Sequence, residues 1–138
     1  MNKLAAGVVA STVATVVLSL IMVLKGMMGV MPELDIISML AGMMGASAIV
    51  GWIMHFMVGA GYGVAFSQIN SLLPGNFIVK GIIIGILGWL VMMLMLMPMM
   101  GAGMFAMNMG MMAPVMTLML HIIFGAVLGL VYKKLQSS

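Results

Sequence analysis

Cysteine is absent from this 138-residue sequence, and charged residues make up only 5% of it. Without cysteine, the chain can form neither a disulfide nor a thiolate metal site. Soluble domains carry about 25% charged residues. A chain that is 65% hydrophobic cannot cover a surface that faces water. The sequence therefore predicts a protein whose solvent is the lipid bilayer.

The few charges are five lysines and two acids, with no arginine, and the formal net charge is +3. Five basic residues are too few for a surface that binds nucleic acid. Glu33 and Asp35, the only carboxylates, lie outside the apolar stretches, which disfavours a proton relay or a cation-coupled transporter built on acids. No nucleophile, base and orienting residue form a recognisable set, so we predict no enzymatic activity.

Four apolar stretches are each long enough to cross a bilayer, which takes about 20 residues in a helix. Helices are expected because irregular backbone would leave polar groups unpaired in lipid. The first stretch is continuous and too long for a signal peptide, so we interpret it as a span. The predicted fold is all-α, a four-helix transmembrane bundle in one domain, residues 1–138. The spans are predicted at 4–27, 46–66, 77–97 and 114–132.

One motif occurs twice, 66 residues apart. The segments 55–66 and 121–132 both read histidine, three residues, glycine, three residues, glycine, two residues, aromatic residue. Each copy ends a two-span unit, so the sequence predicts two tandem repeats that point the same way. A pseudo-two-fold axis along the membrane normal should relate them. The two units are 11–66 and 77–132.

The connections after spans one and three are predicted to lie at the outer membrane surface. Pro32 followed by Glu33 and Asp35 is typical of a helix start, and an apolar stripe follows. We therefore predict a short interfacial helix at 32–43. Pro98 should end or kink span three, and a looser, glycine-rich counterpart of the short helix should follow it.

The lysines predict the orientation of the bundle. With four spans, Lys3, Lys80, Lys133 and Lys134 lie on one side, and the positive-inside rule makes that side cytoplasmic. Both termini are then cytoplasmic, and the connections rich in methionine face outward.

Two histidines are the strongest candidates for a functional site. His55 and His121 should each lie about 15 Å from a membrane face, near the midplane, at 1.5 Å rise per residue. An ionisable residue at that depth favours a functional role. If spans two and four flank the pseudo-axis, the imidazoles face each other, and Gly59 and Gly125 leave room beside each ring for a partner helix or for a flat ligand. The alternative is a polar clasp between helices.

Methionine is abundant, with 23 residues, of which 13 lie between Met92 and Met119. Thioethers are soft ligands that select Cu(I). The alternative is that methionine is a flexible apolar filler. The candidate copper ligands are Met97, Met99, Met100, Met107, Met109, Met111 and Met112.

Glycines at four-residue spacing predict close helix crossing, either inside the bundle or between protomers. These packing glycines are Gly59, Gly63, Gly125 and Gly129.

Three features together resemble a family of small, uncharacterised bacterial inner-membrane proteins with four spans, distantly similar to the YagU-type membrane proteins. The resemblance implies the four-span topology and a bacterial inner membrane, and it implies no activity. The features are the repeated histidine–glycine–aromatic motif, Leu73-Pro74-Gly75 with the later Lys80-Gly81, and Met97-Pro98-x-Met100-Gly101-Ala102-Gly103.

The favoured hypothesis is an inner-membrane protein that captures Cu(I) on its outward methionines and holds it in a deeper paired site at His55 and His121. One alternative is an electron-transfer protein with a b-type haem on the two histidines. The lack of arginine counts against haem, since propionates need cationic partners. The other alternative is a non-catalytic subunit of a larger membrane complex or a homo-oligomer.

Overall fold

The computed structural model describes residues 1–138, which are almost entirely helical. Four helices are long and apolar enough to cross a membrane, which confirms the predicted all-α fold with four spans. A short helix, α2, lies between the first two spans. The helices are α1 (Lys3–Met27), α2 (Ile36–Met43), α3 (Ala48–Ile69), α4 (Phe77–Met99) and α5 (Met112–Ser137).

Because the chain runs up and down, both termini and the turn at 70–76 lie at one end of the bundle, here called the terminal end. The segments 28–47 and 100–111 lie at the other, the connection end. Helix α1 packs along α3 and α5, α4 packs along α5, and α2 packs on α3. Helices α3 and α4 make little contact with each other.

Glycines bring the helices of each pair into backbone contact. A Cβ atom on Gly63 would collide with the carbonyl oxygen of Gly7 in α1. A Cβ atom on Gly125 would collide with the carbonyl oxygen of Gly81 in α4. Helices in lipid gain little from hydrophobic burial against each other, so this close van der Waals contact is what holds each pair together.

The α1–α3 and α4–α5 pairs share a local packing pattern. Three contacts of the first pair are matched in the second by residues 66 positions later. The matched contacts are Ser11–Gly63 with Phe77–Gly129, Thr15–Gly59 with Gly81–Gly125, and Ser19–His55 with Gly85–His121.

The packing between the two pairs does not follow a pseudo-two-fold axis. Such an axis would match the α1–α5 contact with an α3–α4 contact, yet only α1 and α5 pack closely. Ala6, Ala10 and Ala14 are fully buried on α1 and allow its close approach to α5. Of the positions 66 residues later, Leu72 and Asn76 lie in the turn before α4 and only Lys80 lies in the helix, so α4 has no matching alanine face.

The short helix begins later than the predicted position 32. Asp35 is its N-cap, and the carboxylate accepts hydrogen bonds from the Ser38 amide at 3.2 Å and the Ser38 hydroxyl at 2.7 Å. Partial burial raises the pKa of Asp35, but these hydrogen bonds outweigh it, so its pKa lies below the ordinary value of 3.8. The Lys25 ammonium group holds the preceding turn by donating to three carbonyl groups, those of Val30, Met31 and Leu34.

Pro98 does not end α4 at once, because the helix continues to Met99. A π-helical turn, Met92–Leu96, precedes it and accommodates the missing proline N–H. The counterpart of the short helix is a 3₁₀ segment, Met104–Met109, in which Phe105 and Ala106 have φ angles of 53°. The second connection is therefore more irregular than the first, as its glycines predicted.

Glycine packing gives a direct stability prediction. Gly63→Ala should destabilise the protein by about 1–3 kcal/mol, because the new methyl group overpacks the α1–α3 contact. Gly61→Ala is the matched control, since a Cβ atom there meets nothing within 4 Å. Thermal unfolding in detergent measures both variants. Equal midpoints for the two variants would contradict this interpretation.

Candidate functional site

A cavity of about 540 Å³ lies between the spans and contains both histidines in its lining. Helices α1, α3, α4 and α5 all contribute side chains to it. Its mouth is the gap where α3 and α4 fail to pack, and Val58, Val91 and Met95 line it there with exposed side chains. The cavity is therefore open sideways, toward the position of the lipid.

His55 is held by α1. Its Nε2 atom lies 3.2 Å from Ser19 Oγ. The Ser19 hydroxyl donates its single proton to the Thr15 carbonyl oxygen at 2.7 Å, so toward His55 it can only accept. The His55 Nε2 atom must then carry a proton, and Nδ1 of the neutral ring keeps a free lone pair.

His121 has the opposite arrangement. Its Nδ1 atom lies 2.8 Å from the Thr117 carbonyl oxygen, which can only accept, so Nδ1 carries the proton and Nε2 is free. The Thr117 side chain is itself fixed, since its hydroxyl donates to the Ala113 carbonyl oxygen and accepts from Trp89 Nε1 at 3.0 Å. The second nitrogen of each ring has no hydrogen-bond partner in the protein. Since every fully buried polar side-chain atom does have one, these two nitrogens are accessible.

Tyr62 is a member of the cavity that sequence reasoning missed. Its ring centroid lies 6.3 Å from that of His121 and 5.2 Å from that of Phe124. The ring rests on Gly88, where a Cβ atom would collide with it. The Tyr62 hydroxyl has no hydrogen-bond partner. Since every fully buried polar side-chain atom has a partner, this hydroxyl is not fully buried, and Tyr62 lines the cavity. Its spacing of seven residues from His55, two helical turns on the same face, was the available signal.

Of the two predicted occupants of the space at Gly59 and Gly125, a partner helix and a flat ligand, the structure has the partner helix. Gly59 borders the cavity but lies against the Thr15 side chain of α1, and Gly125 lies against the Gly81 backbone of α4 and does not line the cavity. The room for a ligand comes instead from the separation of α3 from α4. With Gly63 and Gly129, these glycines all pack inside the bundle.

The methionine candidates fall into two groups. Met99 lines the cavity with an exposed side chain, together with Met92 and Met95, so thioethers and imidazoles share one space. Met97 borders the cavity but is fully buried. The other candidates lie outside the cavity, at the connection end. Of these, Met107, Met111 and Met112 are exposed, whereas Met100 and Met109 pack on a core cluster. That cluster contains Met93, Met97, Ala102, Ala106 and Ala113.

The fold and the cavity define the class of this molecule, a multi-pass helical membrane protein with an intramembrane cavity. The chain belongs to the family of unknown function DUF6789, whose family model matches residues 1–138. Comparisons with curated proteins and with solved structures give no match.

The hydrogen bonds of the two histidines predict opposite tautomers. In ¹⁵N-histidine NMR spectra recorded at a pH where both imidazoles are neutral, His55 should be protonated at Nε2 and His121 at Nδ1. Ser19→Ala removes the acceptor of His55, so it should disturb the His55 signals alone. Ser11→Ala is a matched control on the same face of α1, because the Ser11 hydroxyl bonds only the Val8 carbonyl oxygen. A His55 ring protonated at Nδ1 would refute the assignment.

Proposed function

We propose that this protein binds Cu(I) inside the membrane, between His55 and His121. The observation that supports the proposal is that both imidazoles line one cavity with the exposed side chains of Met95 and Met99, and each imidazole has one free nitrogen. Cu(I) accepts imidazole nitrogen and thioether sulfur, and neither ligand type needs to lose a proton.

The charge of the cavity favours a monovalent ion. No carboxylate lines it, and Lys25 is its only charged residue. A divalent ion held by neutral ligands would bring two uncompensated charges into an apolar region, at a high desolvation cost. Cu(I) brings one charge and binds the softest ligands most strongly, so it suits this lining better than Zn²⁺ or Mg²⁺.

The exposed methionines at the connection end supply an entry path in this proposal. Met107, Met111 and Met112 would capture the ion, and Met99, which is exposed and also lines the cavity, would pass it inward. We further propose that this end faces outward from a bacterial inner membrane and that both termini are cytoplasmic. The lysine distribution supports the orientation, and the resemblance to YagU-type proteins supports the choice of membrane.

A b-type haem is the second candidate. It is favoured because the two histidines come from different helices and border a cavity of a size that suits an organic ligand. The propionates would lack cationic partners, since the Lys25 ammonium group already binds three carbonyl oxygens. An accessory-subunit role loses the support of the glycine faces, which are used inside the bundle.

Copper loading tests the proposal. The purified protein, reduced and loaded with Cu(I) in competition with a chelator, should retain about one ion per chain. His55→Ala and His121→Ala should each abolish retention, because Cu(I) loses a nitrogen ligand. A Met95→Leu/Met99→Leu variant, which changes two exposed methionines of the cavity, should weaken the affinity about tenfold, taking about 1.4 kcal/mol for a lost ligand.

The matched control for the methionine variant is Met57→Leu/Met119→Leu, which changes two exposed methionines outside the cavity. It should bind copper like the unmodified protein. An absorption spectrum of the unloaded protein separates the second candidate, since a Soret band abolished by either histidine variant indicates haem. Absence of both copper retention and a Soret band would reject both candidates.

The absence of native cysteine makes the orientation directly measurable. Single cysteines introduced as Met28→Cys or Met107→Cys should react with a membrane-impermeant maleimide in intact cells. Cysteines introduced as Ser71→Cys or Ser138→Cys should react only after permeabilisation, because they lie at the terminal end. The reverse labelling pattern would show that the positive-inside assignment is wrong.

A further inference from the structure

The cavity is much larger than a metal ion requires. Its volume is about 540 Å³, which falls in the range of sites for organic ligands, about 300–1,000 Å³. Most of its lining is apolar, and its mouth between α3 and α4 is bordered by the exposed side chains of Val58, Val91 and Met95. An apolar space that opens toward hydrocarbon is accessible to molecules dissolved in the bilayer.

One wall of the cavity is aromatic. Tyr62 contacts Phe124 in an edge-on arrangement with ring centroids 5.2 Å apart, and His121 lies beside Tyr62 at 6.3 Å. Aromatic rings favour stacked or edge-on contact with another ring. Gly61 also lines the cavity, and a Cβ atom there would meet nothing within 4 Å. The space beside this wall therefore suits a planar ring.

The polar atoms on this wall indicate which polar group the ring of the ligand carries. The Tyr62 hydroxyl is a hydrogen-bond donor with no partner in the protein, and an apolar surrounding makes an unmade hydrogen bond costly. A ligand carbonyl oxygen would satisfy it. A carboxylate is disfavoured, because Lys25 lies at the connection end of α1 and its ammonium group already binds three carbonyl oxygens.

We infer that the cavity binds a lipid-soluble quinone. The ring lies against Tyr62 and Phe124, a ring carbonyl accepts a hydrogen bond from the Tyr62 hydroxyl, and the apolar tail leaves through the gap between α3 and α4. A neutral ring carries no desolvation penalty for charge. The inference uses the same cavity as the copper proposal but does not require the ion.

Quinone binding can be measured on the full-length protein in detergent, without added copper. The probe is a benzoquinone with a decyl tail, and the signal is quenching of Trp89, which bonds Thr117 in the cavity lining. Trp52→Phe removes the only other tryptophan. Quenching should saturate, and Tyr62→Phe should weaken binding about tenfold, the loss expected for one buried hydrogen bond of about 1.4 kcal/mol.

A pair of bulky substitutions tests the entry route. Gly61→Phe should abolish saturable quenching, because Gly61 lines the cavity and a Cβ atom there enters open space. Ala60→Phe, on the neighbouring face of α3 beside Trp52 and Phe56, should bind like the parent protein. Because this open space tolerates a side chain, the Gly61 variant should fold, which its thermal unfolding checks.

Three results would overturn the inference. They are quenching that does not saturate, equal affinity in the Tyr62→Phe variant, and displacement of the quinone by decanol at equal concentration. The last result would indicate an alkyl-chain site without recognition of the ring. Because copper is absent throughout, failure of copper binding would leave this test unaffected, and failure here would leave the copper proposal standing.

Discussion

Backbone contact between helices is the constraint on which this structure depends. In lipid, apolar side chains gain nothing by turning away from their solvent, so a bundle needs close van der Waals contact and internal hydrogen bonds. The chain supplies the first through Gly7, Gly63, Gly81 and Gly125, whose backbones meet directly. The small residues of α1 supply more of it, since Ala6, Ala10 and Ala14 are fully buried. Helices α3 and α4 remain apart although Gly61, Ala65 and Gly88 line the space between them.

The cavity follows from that separation. The alanine face of α1 packs on α5, whereas the Tyr62 side chain lies between α3 and α4, which stay apart. Tyr62 occupies part of the resulting space and rests on Gly88. The close packing of α1 on α5 and the separation of α3 from α4 therefore produce an intramembrane pocket. The histidines border it because each ends up beside the gap, one on α3 and one on α5.

The sequence was informative about whatever depends on local pattern. Four apolar runs predicted four spans, and the recurrence of His55 as His121 matches a recurrence of packing contacts. The start of α2 was wrong by four residues, because the Asp35 side chain caps the helix while Pro32 lies in a turn held by Lys25. In a sequence, an acid in the first turn of a helix and an acid at its N-cap differ by only a few positions. The contact of Lys25 with the preceding turn determines that Asp35 is the N-cap.

The cavity itself was beyond a pattern reading. The cavity exists because α1 packs on α5 while α3 stays apart from α4, and the motif at 55–66 gives no information on which of these two pairs packs closely. The signal available for Tyr62 was its spacing of two helical turns from His55. At the matching position the second copy has Leu128, a residue of the same core cluster as Phe124, so comparison with that copy favours a packing role for the tyrosine.

X-ray absorption spectroscopy of the Cu(I)-loaded protein tests the central proposal most directly, because it identifies the donor atoms around the ion. Nitrogen scattering from imidazole together with sulfur scattering is expected for an ion held by His55, His121 and a thioether of the cavity. An environment of sulfur alone would contradict this site. It would assign copper to the exposed methionines of the connection end and leave the histidines without the metal.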